Sequence, residues 1–190
     1  TCLALAKQQK LETYALSFNY QQKHSVELTA AKKIAKHYAV NDHYIVDITL
    51  PNNQLSSLTN NNLTPPQYSA NSDDTHIPNT YVPARNTLFL SYALSLAESI
   101  QANSIWIGCS VIDYSNYPDC RPEFIQSYQQ LIDNAVPLGV NNQPIKLKAP
   151  LLNLSKAETI KLGLSLGVNY SMTISCYCAT AEQPACGKCD

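Results

Sequence analysis

Three groups of residues carry the side chains from which chemistry could be built. The first is the run Gly108–Phe124, GCSVIDYSNYPDCRPEF, where Asp113, Tyr114, Ser115, Asn116, Tyr117, Asp119 and Arg121 fall within nine positions. It follows the apolar run Ile105-Trp106-Ile107, and Pro118 and Pro122 stiffen it. A buried strand leading into a dense set of hydrogen-bonding side chains is how open α/β sheets place ligand sites at strand carboxyl ends. The plainer alternative is a polar surface loop whose tyrosines pack on their neighbours.

The second group is the tail, with Cys176, Cys178, Cys186 and Cys189. Cys186-Gly187-Lys188-Cys189 has the form of a knuckle, a short turn that lets two thiolates grip one ion. Zinc takes four such ligands in a tetrahedron at ~2.3 Å. Cys176 or Cys178 can supply the third, and the fourth falls past Asp190 unless both contribute. Buried, reduced thiols are the competing account, and four cysteines in so short a span favour zinc.

The third group is two cations at helix starts. Arg85 lies in Val82-Pro83-Ala84-Arg85-Asn86, in the expected first turn of a helix, where open amides and the positive dipole end favour a phosphate. Lys156, in Ser155-Lys156-Ala157-Glu158, has the same option. A surface ion pair and a solvated lysine are the ordinary alternatives. His24, beside Lys23, reads as a surface or packing histidine. Spacing supports no Ser/His/Asp set and no carboxylate pair, and the five glycines form no Walker-type loop.

The elements that must position these groups follow from periodicity. Helix is expected over 3–9, strand over 13–18, helix over 25–38 and strand over 44–48. From 51 to 79 the pattern fades into Asn, Ser, Thr and Pro, which predicts a mobile lid or disordered insert. Pro83 marks a helix start, with Leu88, Leu90, Ala93, Leu94 and Ala97 at helical spacing. Strand follows at 104–108, helix at 123–135, strand at 145–147, and a helix opened by Ser155 with Glu158 three positions on, a capping box. Strand and helix alternate with connections too long for hairpins, so the fold class is α/β with a mostly parallel sheet flanked by helices.

Composition narrows the function. Of 190 residues 45% are hydrophobic and 14% charged, which specifies a globular chain. A net charge of -1 gives no general attraction for nucleic acid or anionic membrane. No apolar run approaches the ~20 residues that cross a bilayer. Seven cysteines, an odd number, suit a reducing cytoplasm better than a disulfide framework. The chain opens on Thr1-Cys2-Leu3 without a methionine and stops just after a Cys-x-x-Cys, so both ends are expected to be cut.

Five segments together resemble the 7-cyano-7-deazaguanine synthase family (QueC), the queuosine-pathway branch of the PP-loop ATP pyrophosphatases. They are Phe18–His24 (FNYQQKH), Ile77–Asn86 (IPNTYVPARN), Asp113–Arg121 (DYSNYPDCR), Ser155–Glu158 (SKAE), and Ser175-Cys176-Tyr177 with Cys186–Cys189 (CGKC). The resemblance runs through nearly the whole chain, and the Tyr-Pro-Asp-Cys-Arg string is its most specific part.

The resemblance implies a Rossmann-like, adenine-nucleotide-binding domain over 1–170 and a partial zinc-binding segment over 171–190. It implies ATP-dependent conversion of 7-carboxy-7-deazaguanine and ammonia into the nitrile, with Mg²⁺ on the phosphates, zinc in the tail and a homodimer. By position, the zinc ligands would be Cys176, Cys186 and Cys189, with a fourth cysteine just past Asp190; Cys178 stands outside that pattern but could substitute. Arg85 and Lys156 become the phosphate candidates. Asp113, Tyr117, Asp119 and Arg121 become candidates for holding the deazapurine, since a carboxylate can accept two N–H bonds from a guanine-like edge and a tyrosine can stack on its face. The family's SGGxDS-type phosphate loop would end immediately before Thr1, so this polypeptide alone is expected to be inactive or badly impaired. Ala84 and Asn116 stand where the family usually has glycine. Two other readings compete: a different PP-loop enzyme that modifies tRNA, and a non-catalytic, zinc-stapled binding module.

Overall fold

The computed structural model describes residues 1–23, 26–51, 54–66, 76–110, 117–137, 144–180, 182 and 185–188. Among the described residues five α-helices and four strands follow one another: α1 (Cys2–Gln8), β1 (Tyr14–Asn19), α2 (Val26–His37), β2 (Asp42–Asp47), α3 (Arg85–Ser99), β3 (Ser104–Trp106), α4 (Pro122–Ala135), β4 (Lys146–Lys148) and α5 (Lys156–Ser165). They divide between two compact units, 1–2 with 84–163, and 3–83 with 164–190.

In the unit that contains α3, α4 and α5, the strands β3 and β4 pair in parallel, Ser104 opposite Lys146 and Trp106 opposite Lys148. The Lys148 ammonium lies 5.0 Å from the centroid of its partner's indole ring, a cation–π contact of about 0.5–1 kcal/mol at an exposed site. The core is Leu90, Leu94 and Ala97 from α3, Ile105 from β3, Tyr128 and Ile132 from α4, and Ile145. The helical spacing of Leu90, Leu94 and Ala97 is why that face of α3 is buried. Gln129 of α4 acts as a substitute strand: its Nε2 donates to the Ile145 carbonyl at 3.0 Å, and its Oε1 accepts the Leu147 amide at 2.7 Å. Both polar groups of that β4 edge are thereby satisfied.

In the other unit, β1 and β2 pair in parallel over six positions, Tyr14 opposite Asp42 through Asn19 opposite Asp47. At their carboxyl ends the partners Asn19 and Asp47 are joined by a 2.7 Å hydrogen bond from Nδ2 to Oδ1. Helix α2 packs on β1 with Ala30 and Ala35 buried, while Lys32, Lys33 and Lys36 are exposed. Both strand pairs are parallel, in keeping with the α/β alternation.

Two features depart from expectation. Helices α1, α2 and α3 each end on a left-handed residue that is not glycine: Lys10 (φ 56°), Ala39 (φ 46°) and Gln101 (φ 57°). After each, the next amide reaches back five residues, Leu11 to Ala6, Val40 to Ala35 and Ala102 to Ala97. These are Schellman closures without their usual glycine.

The second departure is the polar stretch read as a lid or disordered insert. Residues 54–66 form a compact series of turns with Ser56 and Ser57 only 1% and 0% exposed. Ser56 Oγ donates to the Thr80 carbonyl at 3.2 Å, Ser57 Oγ to Asn79 Oδ1 at 3.0 Å, and the Ser57 amide to the Asn79 carbonyl at 2.8 Å. The Lys23 amide donates to the Leu58 carbonyl, and its ammonium to that of Leu63. Short hydroxyl side chains can be buried because each finds a backbone or amide partner. Residues 52–53 and 67–75 of the same stretch lie outside the described residues.

Candidate functional site

The approach to the first group begins where β3 runs on into Gly108. Ser110 Oγ donates to the Leu154 carbonyl at 2.6 Å. Leu154 immediately precedes Ser155-Lys156, so the start of the polar loop and the start of α5 are held side by side. The capping box is present in full: the Ser155 amide and hydroxyl both donate to Glu158 Oε2 at 2.8 Å, and the Glu158 amide donates to Ser155 Oγ at 3.2 Å. Those hydrogen bonds from Ser155 hold the Glu158 carboxyl below its usual range. Lys156 is exposed at the first position of the helix so capped.

The loop's far end is tied to α3. The Asn86 amide donates to Asp119 Oδ2 at 3.1 Å, and Asn86 Nδ2 donates to the Asp119 carbonyl at 3.0 Å and to Cys120 Sγ at 3.3 Å. Asn86 and Asp119 are 6% and 7% exposed. Residue Ala84, the N-cap of α3, provides no side-chain cap and sits in the left-handed region at φ 54°. The first-turn amide of Asn86, expected to be open to a phosphate, is therefore taken by a carboxylate of the chain itself. The Arg85 guanidinium stands over the Phe89 ring, 5.7 Å from its centroid.

Of the substrate candidates, Tyr117 is half-buried, Asp119 buried and Arg121 exposed at the N-cap of α4; Asp113 and Asn116 lie outside the described residues, as does His24. Arg85, Lys156, Tyr117, Asp119 and Arg121 belong to one compact unit. Burial pushes the thiol of Cys109, just after Gly108, up to about 12, with Cys120 and Asp119 adding to the effect. Burial, then Asp119, raises Cys120 as well, against the Arg85 charge and the Asn86 hydrogen bond. Both are protonated thiols near neutral pH and make poor nucleophiles.

In the tail, Cys176 Sγ accepts the amides of Cys178 at 3.3 Å and Cys186 at 3.2 Å, and Cys186 Sγ accepts the Lys188 amide at 3.4 Å. Gly187, at φ 67°, supplies the left-handed turn of the knuckle. Burial first, and then the sulfurs of Cys186 and Cys176, raise the Cys178 thiol. Three sulfurs thus share one locality. Cys189 is outside the described residues, and among the described residues no three Cys, His, Asp or Glu groups form a preset metal cage.

Asn86 has no role that its motif alone would assign. Its signal was an amide side chain in the first turn of a helix whose N-cap, Ala84, cannot cap. Gln129 carried no signal, because nothing in local sequence shows that a helix side chain will face a strand edge.

The family model described as "Queuosine biosynthesis protein QueC" matches residues 1–190. A 7-cyano-7-deazaguanine synthase of Coxiella burnetii (strain RSA 331 / Henzerling II) is 56% identical over 190 residues, covering 100% of this chain and 83% of its own length. Relatives of the same name from Legionella pneumophila (strain Philadelphia 1) and Saccharophagus degradans (strain 2-40) are 51% and 45% identical, again over the whole chain and over 82% and 83% of their own length. With a match that runs from the first residue to the last, the chain belongs to the QueC family of queuosine biosynthesis enzymes.

Proposed function

We propose that the chain, within its full-length protein, converts 7-carboxy-7-deazaguanine and ammonia into 7-cyano-7-deazaguanine at the expense of ATP. The observation that carries this reading is the 56% identity, over all 190 residues, to a relative named for that product.

A carboxylate is a poor electrophile because its negative charge repels an attacking amine. Its oxygen attacks a phosphorus of ATP, the phosphoanhydride P–O bond on the far side breaks, and the remainder of the ATP leaves, giving a mixed anhydride. Ammonia then adds to the carbon and expels the phosphorylated oxygen, leaving an amide. A second activation, at the amide oxygen, lets that oxygen leave as two N–H protons are lost, which forms the nitrile. The protein's share is orientation and charge stabilisation.

In this reading Arg85 and Lys156 stabilise phosphate charge through their side chains, since the Asn86 amide is engaged by Asp119. Tyr117 and Arg121 contact the deazapurine, together with Asp113. Mg²⁺ would shield the phosphates when bound. Zinc would be held by Cys176, Cys186 and Cys189 and would staple the tail, a reading supported by the amide-to-sulfur bonds around Cys176 and Cys186. The tail is proposed as a small element separate from the catalytic domain, and the protein as a cytoplasmic homodimer. Among the described residues no helix is long and apolar enough to cross a membrane.

The test is ATP consumption by the full-length protein. Turnover that requires both the carboxy-deazaguanine and ammonia supports the reading. Turnover that answers to tRNA and ignores the acid overturns it.

A further inference from the structure

The three bonds between Asn86 and the Asp119-Cys120 pair join segments 33 and 34 residues apart in a buried setting. Asn86 follows Arg85 directly, and Asp119 lies between Tyr117 and Arg121. Each contact uses a group that burial would otherwise leave unsatisfied. The Asp119 carboxylate also sits where the α3 dipole favours a negative charge, next to an N-cap with no side-chain oxygen of its own.

We propose that Asp119 and Asn86 form a positioning lock: Asp119 caps α3 from a distance, instead of gripping the substrate, and the pair holds Arg85 in fixed relation to Tyr117 and Arg121. The lock rests on the proposed function for its catalytic meaning, since it registers the phosphate side of the site against the deazapurine side. A displacement of about 1 Å between reacting groups can cost on the order of 100-fold in rate. Asp119 and Asn86 are accordingly positioning residues that touch each other and neither substrate.

The experiment uses the full-length enzyme with Asn86→Ala, Asp119→Ala, Asp119→Asn and the double alanine variant, assayed with the carboxy-deazaguanine. Asn86→Ala and Asp119→Ala should each lower kcat by about tenfold or more, with the KM for the acid within about threefold of the parent. The double variant should be little worse than the worse single one, because the two act as one unit. Asp119→Asn keeps an acceptor oxygen for the Asn86 amide and should recover at least about fivefold of the kcat that Asp119→Ala loses. It also covers the case in which the alanine variants fail to fold. Asp119→Ala and Asp119→Asn both raising KM tenfold or more, beside an Asn86→Ala variant with parental kinetics, would overturn the lock and make Asp119 a substrate ligand. Thermal midpoints separate this failure from failure of the proposed function. The lock requires non-additive losses in midpoint whatever the substrate proves to be, and additive losses would refute it.

Discussion

The sulfur of Cys176 accepts the backbone amide of Cys186 at 3.2 Å, ten residues along the chain. The Lys188 amide reaches the Cys186 sulfur in the same way, over the left-handed turn that Gly187 provides. Metal binding to such a set should be coupled to the order of the tail. The full-length protein is expected to carry one zinc per chain. Cys186→Ser should lose it and lower the melting temperature, read by metal analysis and thermal unfolding of the same preparations. A variant with parental zinc content and melting temperature would remove Cys186 from the ligand set.

Ala39 and Ala84 occupy the left-handed region at φ 46° and 54°. A Cβ there costs roughly 1–2 kcal/mol, while glycine at the same place pays somewhat more entropy on folding. Ala39→Gly and Ala84→Gly should therefore each stabilise the protein by about 0.5–1 kcal/mol, measured by urea denaturation. Loss of stability in both would show that neither backbone conformation is as described.

The same two alanines mark where sequence reading stops. The ends of α1, α2 and α3 carry no glycine, so the Schellman closures at Lys10, Ala39 and Gln101 could not be seen from composition. What periodicity fixes is legible: the buried face of α3, the parallel alternation, and the capping box of Ser155 and Glu158. Residues 54–66 were misread because their hydrogen bonds run inward, Ser56 to Thr80 and Ser57 to Asn79, and polarity alone does not give that direction. The pairing of Asn86 with Asp119 was hidden for a related reason: a contact 33 residues long is decided by packing and has no local signature.

Glu158 offers a test by pH. Hydrogen bonds from Ser155 favour its ionised form, so its carboxyl titrates below the usual value in the folded chain. A depressed carboxyl contributes stability that is present above the unfolded value, near 4.3 for a free glutamate, about where the effect begins to fade. The contribution is lost as pH falls through the lower folded value. Glu158→Gln keeps an acceptor and removes the charge, so it should be less stable than the parent at pH 7, with a smaller deficit at about pH 3. Urea titrations at the two pH values check this. A difference that is undiminished or grows in acid would contradict the assignment.

Arg121 stands exposed at the start of α4, with its own carbonyl accepting the Ile125 amide at 3.2 Å. Its backbone serves the helix, and its side chain is free of any demand from the core. A side chain so placed can be shortened without a packing penalty, and surface changes of this kind usually stay within about 0.5 kcal/mol. If the guanidinium meets the substrate acid, Arg121→Ala should raise the KM for the carboxy-deazaguanine by about tenfold or more, with the melting temperature within about a degree of the parent. Arg121→Lys keeps the charge but lacks the planar fork, so it should recover only part of the loss. Steady-state kinetics on the full-length enzyme decide the matter. Parental KM and kcat in Arg121→Ala would place the substrate's acid group elsewhere, with Lys156 at the capped start of α5 the next cation to test.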